Sequence, residues 1–247
     1  MRRSVYILSS CALFICACES QTFDYSADQT SSTGTGGSLA RFAISGNYLY
    51  TVNIDQLNIY NITDEKKPVA VGVKDLDWGV ETIFAGDNML FLGTRNGVYI
   101  FDISTPETPV YLSLYSHVQS CDPVIVKGEY AYATLSTSGP CSNGVNQLEI
   151  IDISNPNSPH NVNTISMENP RGLGISGDLL FVCDEGLKVF DLTDPIDPEF
   201  LYKITIDAFD VIPVDTLLLV TTDQGLAEYS IDNDSQIHFL SSIYTNP

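Results

Sequence analysis

The sequence predicts an all-β chain, and within that class a β-propeller of five four-stranded blades. Three observations lead there. A pattern of about 40 residues recurs five times. Each copy is built of short apolar strands broken by Gly, Asn, Asp and Pro. No stretch joins helical period to helix length, which excludes a helical solenoid.

The repeat is clearest in the third strand of each unit: 57–63 (LNIYNIT), 98–104 (VYIFDIS), 148–154 (LEIIDIS), 187–193 (LKVFDLT) and 226–232 (LAEYSID). The equivalent positions Asn61, Asp102, Asp152, Asp191 and Ser230 lie 41, 50, 39 and 39 residues apart, the long interval holding an insertion at 136–145. In the second unit the expected strands are 80–85, 89–94, 98–103 and 110–115. Gly86-Asp87 and Arg95-Asn96-Gly97 supply the tight turns, because Gly and Asn tolerate positive φ. Pro106 and Pro109 fall between the third and fourth strands, where a missing N–H costs no ladder bond. Closure of the ring is expected, since an open arc would expose blade faces at both ends and neither terminal unit is a polar cap. The repeats begin and end on whole units, with no strand exchanged to fasten the ring.

The Asp-Ile-Ser-x-Pro-x-x-Pro close of the third strand, near-complete in units two to four, resembles the LVIVD repeat family of bacterial extracytoplasmic proteins. The resemblance covers residues 39–247 and decays in the last unit, where Glu228 and Ser230 replace apolar and Asp residues. It implies a β-propeller. It carries no defined activity with it.

Upstream of the repeats the chain opens Met1-Arg2-Arg3, followed by an apolar run at 5–15 and then Cys16-Ala17-Cys18-Glu19. A basic start and an apolar run too short to span a bilayer are the parts of a secretory signal, expected over residues 1–17. The ending resembles the lipobox of bacterial lipoproteins, which implies a lipidated Cys18. Glu19, not being Asp, implies transport to the outer membrane. Residues 18–37, rich in Ser, Thr and Gly, read as the lipidated N-terminus and a flexible tether, with the propeller over 38–247. No later run is long and apolar enough for a membrane span.

The formal charge is −20, from 31 acidic and 11 basic residues. Such a chain is excluded as a nucleic-acid partner, which needs clustered Lys and Arg. It also gains nothing from anionic headgroups, so the acyl chains would hold it to the membrane.

Among the cysteines, Cys121 opens the first strand of the third unit and Cys141 sits in the insertion, both on one face of the propeller, and an oxidising compartment predicts a disulfide between them. Cys183 reads as a buried strand residue, with Val52, Leu92, Thr134 and Val220 as siblings. Asp102, Asp152 and Asp191 end their strands just before a Pro turn, where each carboxylate accepts local N–H groups. Calcium is suggested only weakly, by Asp232-Asn-Asp234, which lacks the glycine and glutamate of a calcium loop. His117, His160 and His238 are scattered, and no metal site is expected from them. No nucleophile elbow or phosphate-binding loop occurs.

The expected ligand face collects the loops leading into the inner strands and the turns between second and third strands. It would hold Trp78, Glu81, Arg95, Asp122, Arg171, Asp184, Glu185, Asp207, Asp210 and Asp223. The function expected is a lipid-anchored envelope module that binds a protein or glycan partner or serves as a scaffold. The alternative is a hydrolase or lyase acting on glycans or lactones through clustered Asp and Glu at the channel mouth.

Overall fold

The computed structural model describes residues 37–76, 79–117, 123–137 and 145–245. They form five four-stranded antiparallel sheets, each built of consecutive strands, arranged as the blades of a propeller. Blade 1 comprises β1 (Phe42–Ser45), β2 (Tyr48–Val52), β3 (Gln56–Asn61) and β4 (Val69–Asp75). Blade 2 comprises β5 (Val80–Gly86), β6 (Met89–Thr94), β7 (Gly97–Asp102) and β8 (Val110–Ser116). Blade 3 follows with β9 (Val124–Lys127), β10 (Tyr130–Leu135), β11 (Gln147–Asp152) and β12 (His160–Ser166). Blade 4 is β13 (Pro170–Ser176), β14 (Leu179–Asp184), β15 (Leu187–Asp191) and β16 (Glu199–Ile204). Blade 5 is β17 (Ala208–Val214), β18 (Leu217–Thr222), β19 (Gly225–Ile231) and β20 (Ile237–Tyr244).

The expected strands of blade 2 agree with the structure to within a residue. The turn chemistry differs in one place. In the β5–β6 hairpin it is Asp87 and Asn88 that take positive φ, 47° and 60°, and Gly86 does not. Asn and Asp tolerate this left-handed conformation best among side-chain-bearing residues. The register also realigns the siblings of Cys183. It pairs with Leu187 as Val52 pairs with Leu57, Gly93 with Val98, Thr134 with Leu148 and Thr221 with Leu226. Gly93 and Thr221 therefore replace the expected Leu92 and Val220. Cys183 itself is buried, as expected.

Strand alternation gives every blade two apolar faces, because period-two side chains fall on opposite sides of a sheet. Toward the following blade, blade 1 offers Tyr50, Leu57 and Ile59, and blade 2 receives them on Ile83, Leu90 and Phe101. The same register packs Phe91, Val98 and Ile100 on Val124, Ala131 and Ile151. It then packs Tyr132, Leu148 and Ile150 on Leu173, Leu180 and Phe190. Phe181, Leu187 and Val189 meet Val211, Leu218 and Tyr229 in turn. The outer strands tie onto the turn between the third and fourth strands of the next blade as well. Ser113 donates to the Pro156 carbonyl at 2.6 Å, Asn163 to Ile196 at 2.7 Å and Tyr202 to Ser235 at 2.6 Å. Further in, Tyr50 donates to Pro106 and Tyr132 to Pro195.

The Asp of the repeat does the local work expected of it. Asp102, Asp152 and Asp191 accept the backbone N–H of Ser104, Ser154 and Thr193 at 2.7, 2.8 and 2.6 Å. These bonds, with those of the Ser and Thr hydroxyls, hold all three carboxyls below the usual Asp range. Asp232 likewise accepts the N–H groups of Asp234 and Gln236, and its other oxygen meets His238 Nε2 at 2.6 Å.

Among the described residues, no strand is exchanged to join blade 5 to blade 1. Residues 37–39 make the connection instead. Ser38 Oγ donates to Asp210 on β17 at 3.0 Å and accepts the Leu173 N–H of β13 at 2.8 Å. The Leu39 N–H reaches the other Asp210 oxygen at 3.2 Å. Further along, the Ala40 carbonyl accepts from Ile83 on β5 and the Arg41 carbonyl from Val52 on β2. Residues 38–41 thus cross from the inner strands of blades 4 and 5 to the second strand of blade 1 and the inner strand of blade 2.

Candidate functional site at the channel mouth

At their mouth ends, three described inner strands depart from regular pairing at the same place. Glu81 is the extra residue between the pairs Val80–Thr94 and Thr82–Gly93. Arg171 and Gly172 together oppose one residue between Pro170–Asp184 and Leu173–Val182. Phe209 is extra between Ala208–Thr222 and Asp210–Thr221. A β-bulge turns its side chain out of the alternation, and bulges concentrate where a side chain must be re-aimed. Glu81, Arg171 and Phe209 are so presented at one level of the rim.

The guanidinium of Arg171 lies over the Phe209 ring, 4.4 Å from its centroid, a cation–π arrangement. Its Nη1 donates to Asp207 at 3.0 Å. Glu81 is paired with Arg95, from the β6–β7 turn, at 3.4 Å. Both arginines remain partly open to solvent. Gly172 is required beside Arg171, because a Cβ there would sit 2.7 Å from the Asp210 Cα and nearer still to its carboxylate.

The other expected acids divide. Asp207 and Glu185 are exposed, as expected of rim residues. Asp223 is exposed too, but it lines a groove of about 270 Å³ with Ile206, Tyr229 and Phe239, reaching out toward the outer strand β20. Asp184 and Asp210, expected on the open rim, are buried instead. Asp184 accepts the N–H groups of Glu168 and Asn169 and holds Lys188 Nζ at 2.7 Å, so it pins the loop leading into blade 4. Burial alone would raise its carboxyl, but Lys188 and the two N–H groups outweigh that and hold it low. Asp210 lies under residues 38 and 39. Burial pushes its carboxyl up, against the donors Leu39, Ser38 and Val211. Trp78, Asp122, Cys121, Cys141 and Cys18 lie outside the described residues.

Phe209, Glu168 and Lys188 were not anticipated. Glu168 stands beside Glu185 and raises its carboxyl. Only the internal repeat could have flagged Phe209, since the register puts it at the position of Glu81 and Arg171. Among the described residues, no group of three His, Cys, Asp or Glu side chains is placed to hold a metal ion, and no helix is long and apolar enough to cross a membrane.

The fold is that of a five-bladed β-propeller with a built rim at one end of its channel. Residues 120–165, which span blade 3, match the LVIVD repeat. No curated protein matches the chain. Among solved structures, it is similar to a protein from Lactobacillus plantarum (TM-score 0.65, 14% identity, covering 81% of this chain and 69% of that one). It is also similar to a periplasmic gluconolactonase from Pseudomonas aeruginosa (TM-score 0.62, 16% identity, 81% and 68%). A functionally unknown protein from Desulfotomaculum acetoxidans gives a TM-score of 0.63 at 10% identity over 87% and 69%. At these identities the likeness is one of fold.

Proposed function

We propose that the chain is a lipid-anchored extracytoplasmic β-propeller that acts as a binding or scaffold module and meets its partner at the channel mouth. The observation that carries this reading is the recurrence of a bulge at one position of three inner strands, which sets Glu81, Arg171 and Phe209 on a common rim. An aromatic ring with an arginine stacked on it is the chemistry enriched where proteins hold partners. Asp184 and Asp210, the buried acids of this end, serve the loops and make the platform rigid. Cys18 would carry the lipid, in the bacterial envelope and at its outer membrane, and Cys121 and Cys141 would form a disulfide there. The partner would be a protein or glycan of the envelope.

The test is photo-crosslinking in cells from residue 81 or 209, with Tyr111 on the outer strand β8 as the control position. Adducts from the mouth positions that vanish with Arg171→Ala support the reading. Adducts from position 111 alone overturn it. Separately, Cys18→Ser should move the protein from the membrane to the soluble fraction, and retention at the membrane would remove the anchor from the proposal.

A second reading, hydrolysis of lactones or glycans, has the Glu168–Glu185 pair in its favour, since a carboxyl raised by a neighbouring carboxylate suits a proton donor. Lactone hydrolysis by the purified protein that is abolished by Glu185→Gln would favour it over the binding reading.

A further inference from the structure

The seam between blade 5 and blade 1 is unlike the four others. At those four, the inner-strand residue facing the preceding blade is Ile83, Val124, Leu173 or Val211, each 2% exposed or less. Its counterpart on β1 by register is Phe42, which is 51% exposed. Leu49 and Tyr60, which complete that face of blade 1, are only partly buried. On the face of blade 5 that points away from blade 4, Leu219 and Leu226 are also only partly buried, where blades 1 to 4 have fully buried side chains.

Two substitutions in the repeat account for the difference. Glu228 occupies the position of Ile59, Ile100, Ile150 and Val189, so a carboxylate stands in the middle of the apolar row. A charge there cannot be buried without a partner, and the seam cannot close over it. Ser241, the counterpart of Ser113, Asn163 and Tyr202, does not reach the next blade. It turns back and donates to Glu228 at 2.9 Å. Residues 37–39 then supply the polar tie between the two ends of the ring, through Ser38, Leu39 and Asp210.

We infer that the propeller is a latched ring, in which blades 1 and 5 part first and residues 37–39 are the strap that holds them. Opening at this seam exposes less new apolar surface, because its rows are already partly in water, whereas opening any other would expose two fully buried rows. The strap is short, and its hold depends on one hydroxyl and one carboxylate.

Hydrogen exchange of the full-length chain, read peptide by peptide by mass spectrometry, tests this. Amides of β1 and of β17–β18 should exchange faster than those of β5–β6, β9–β10 and β13–β14. Ser38→Ala should raise exchange in blades 1 and 5 roughly tenfold and leave blades 2 and 3 unchanged. Glu228→Ile, which restores the apolar row and does not touch the strap, should slow exchange in the same two blades. Uniform protection across the five inner strands would overturn the inference, as would a Ser38→Ala effect spread equally over all blades. Should Ser38→Ala fail to fold, the Glu228→Ile comparison decides alone, and unchanged exchange there counts against the latch.

Discussion

Ser38 donates its hydroxyl to Asp210 at 3.0 Å, joining residues 172 positions apart. Asp210 also takes the N–H groups of Leu39 and Val211, so one buried carboxylate organises the start of the propeller and the inner strand of its last blade. Asp210→Ala leaves these donors in a dry site, and the expected loss is about 2 kcal/mol. Urea unfolding of the parent and the variant measures it.

The two buried acids of the mouth should give opposite pH slopes. Asp210 is raised by burial, so the folded chain holds that proton more readily than the unfolded chain does. Its contribution is greatest below the ordinary value of 3.8 and declines as pH rises through the raised folded value. Asp210→Asn should therefore lose less stability than the parent as pH rises above 3.8. Asp184 is lowered, so its contribution is present above 3.8 and is lost as pH falls through the depressed folded value. Asp184→Asn should accordingly flatten the acid limb of the melting temperature profile.

Tyr132 donates to the Pro195 carbonyl at 2.9 Å from a fully buried ring, and burial pushes its hydroxyl up to about 12. Phe181 fills the same register position one blade on, so the site takes a bare ring without strain. Tyr132→Phe should cost only the hydrogen bond, about 1 kcal/mol, whereas Tyr132→Ala should cost about 4 kcal/mol through the cavity. Chemical denaturation at neutral pH separates the two.

Arg171→Ala removes a partly exposed ion pair and a stack on Phe209. Stability should change by less than about 1 kcal/mol, while crosslinking at the mouth is lost. A large fall in melting temperature would mean that the residue serves the blade and not a partner.

Burial, with the nearby Asp210 charge adding to it and Arg171 opposing, pushes the Cys183 thiol up. In a chain carrying Cys121→Ser and Cys141→Ser, a thiol reagent should modify Cys183 only as fast as the protein unfolds. Labelling that is complete in the native state would contradict its burial between blades 4 and 5.

The repeat made most of the architecture legible. Strand periodicity, the Asp before each Pro turn and the spacing of units lead to five four-stranded blades, because these are local properties that each unit expresses by itself. Glu228 and Ser230 mark the last unit as irregular in the sequence. The consequence of Glu228, a seam that does not close over its apolar rows, emerges only when blade 1 is brought against blade 5. The same division holds at the mouth. Glu81, Arg95, Arg171, Asp207 and Glu185 could be assigned to one face from strand order. Whether an acid on that face meets water or backbone depends on which loop crosses it, and that buried Asp184 and Asp210. Chain order determined the blades through short-range hydrogen bonding and alternation. Tertiary structure decided the fastening of the ring and the composition of its rim, because both rest on contacts between residues far apart in sequence.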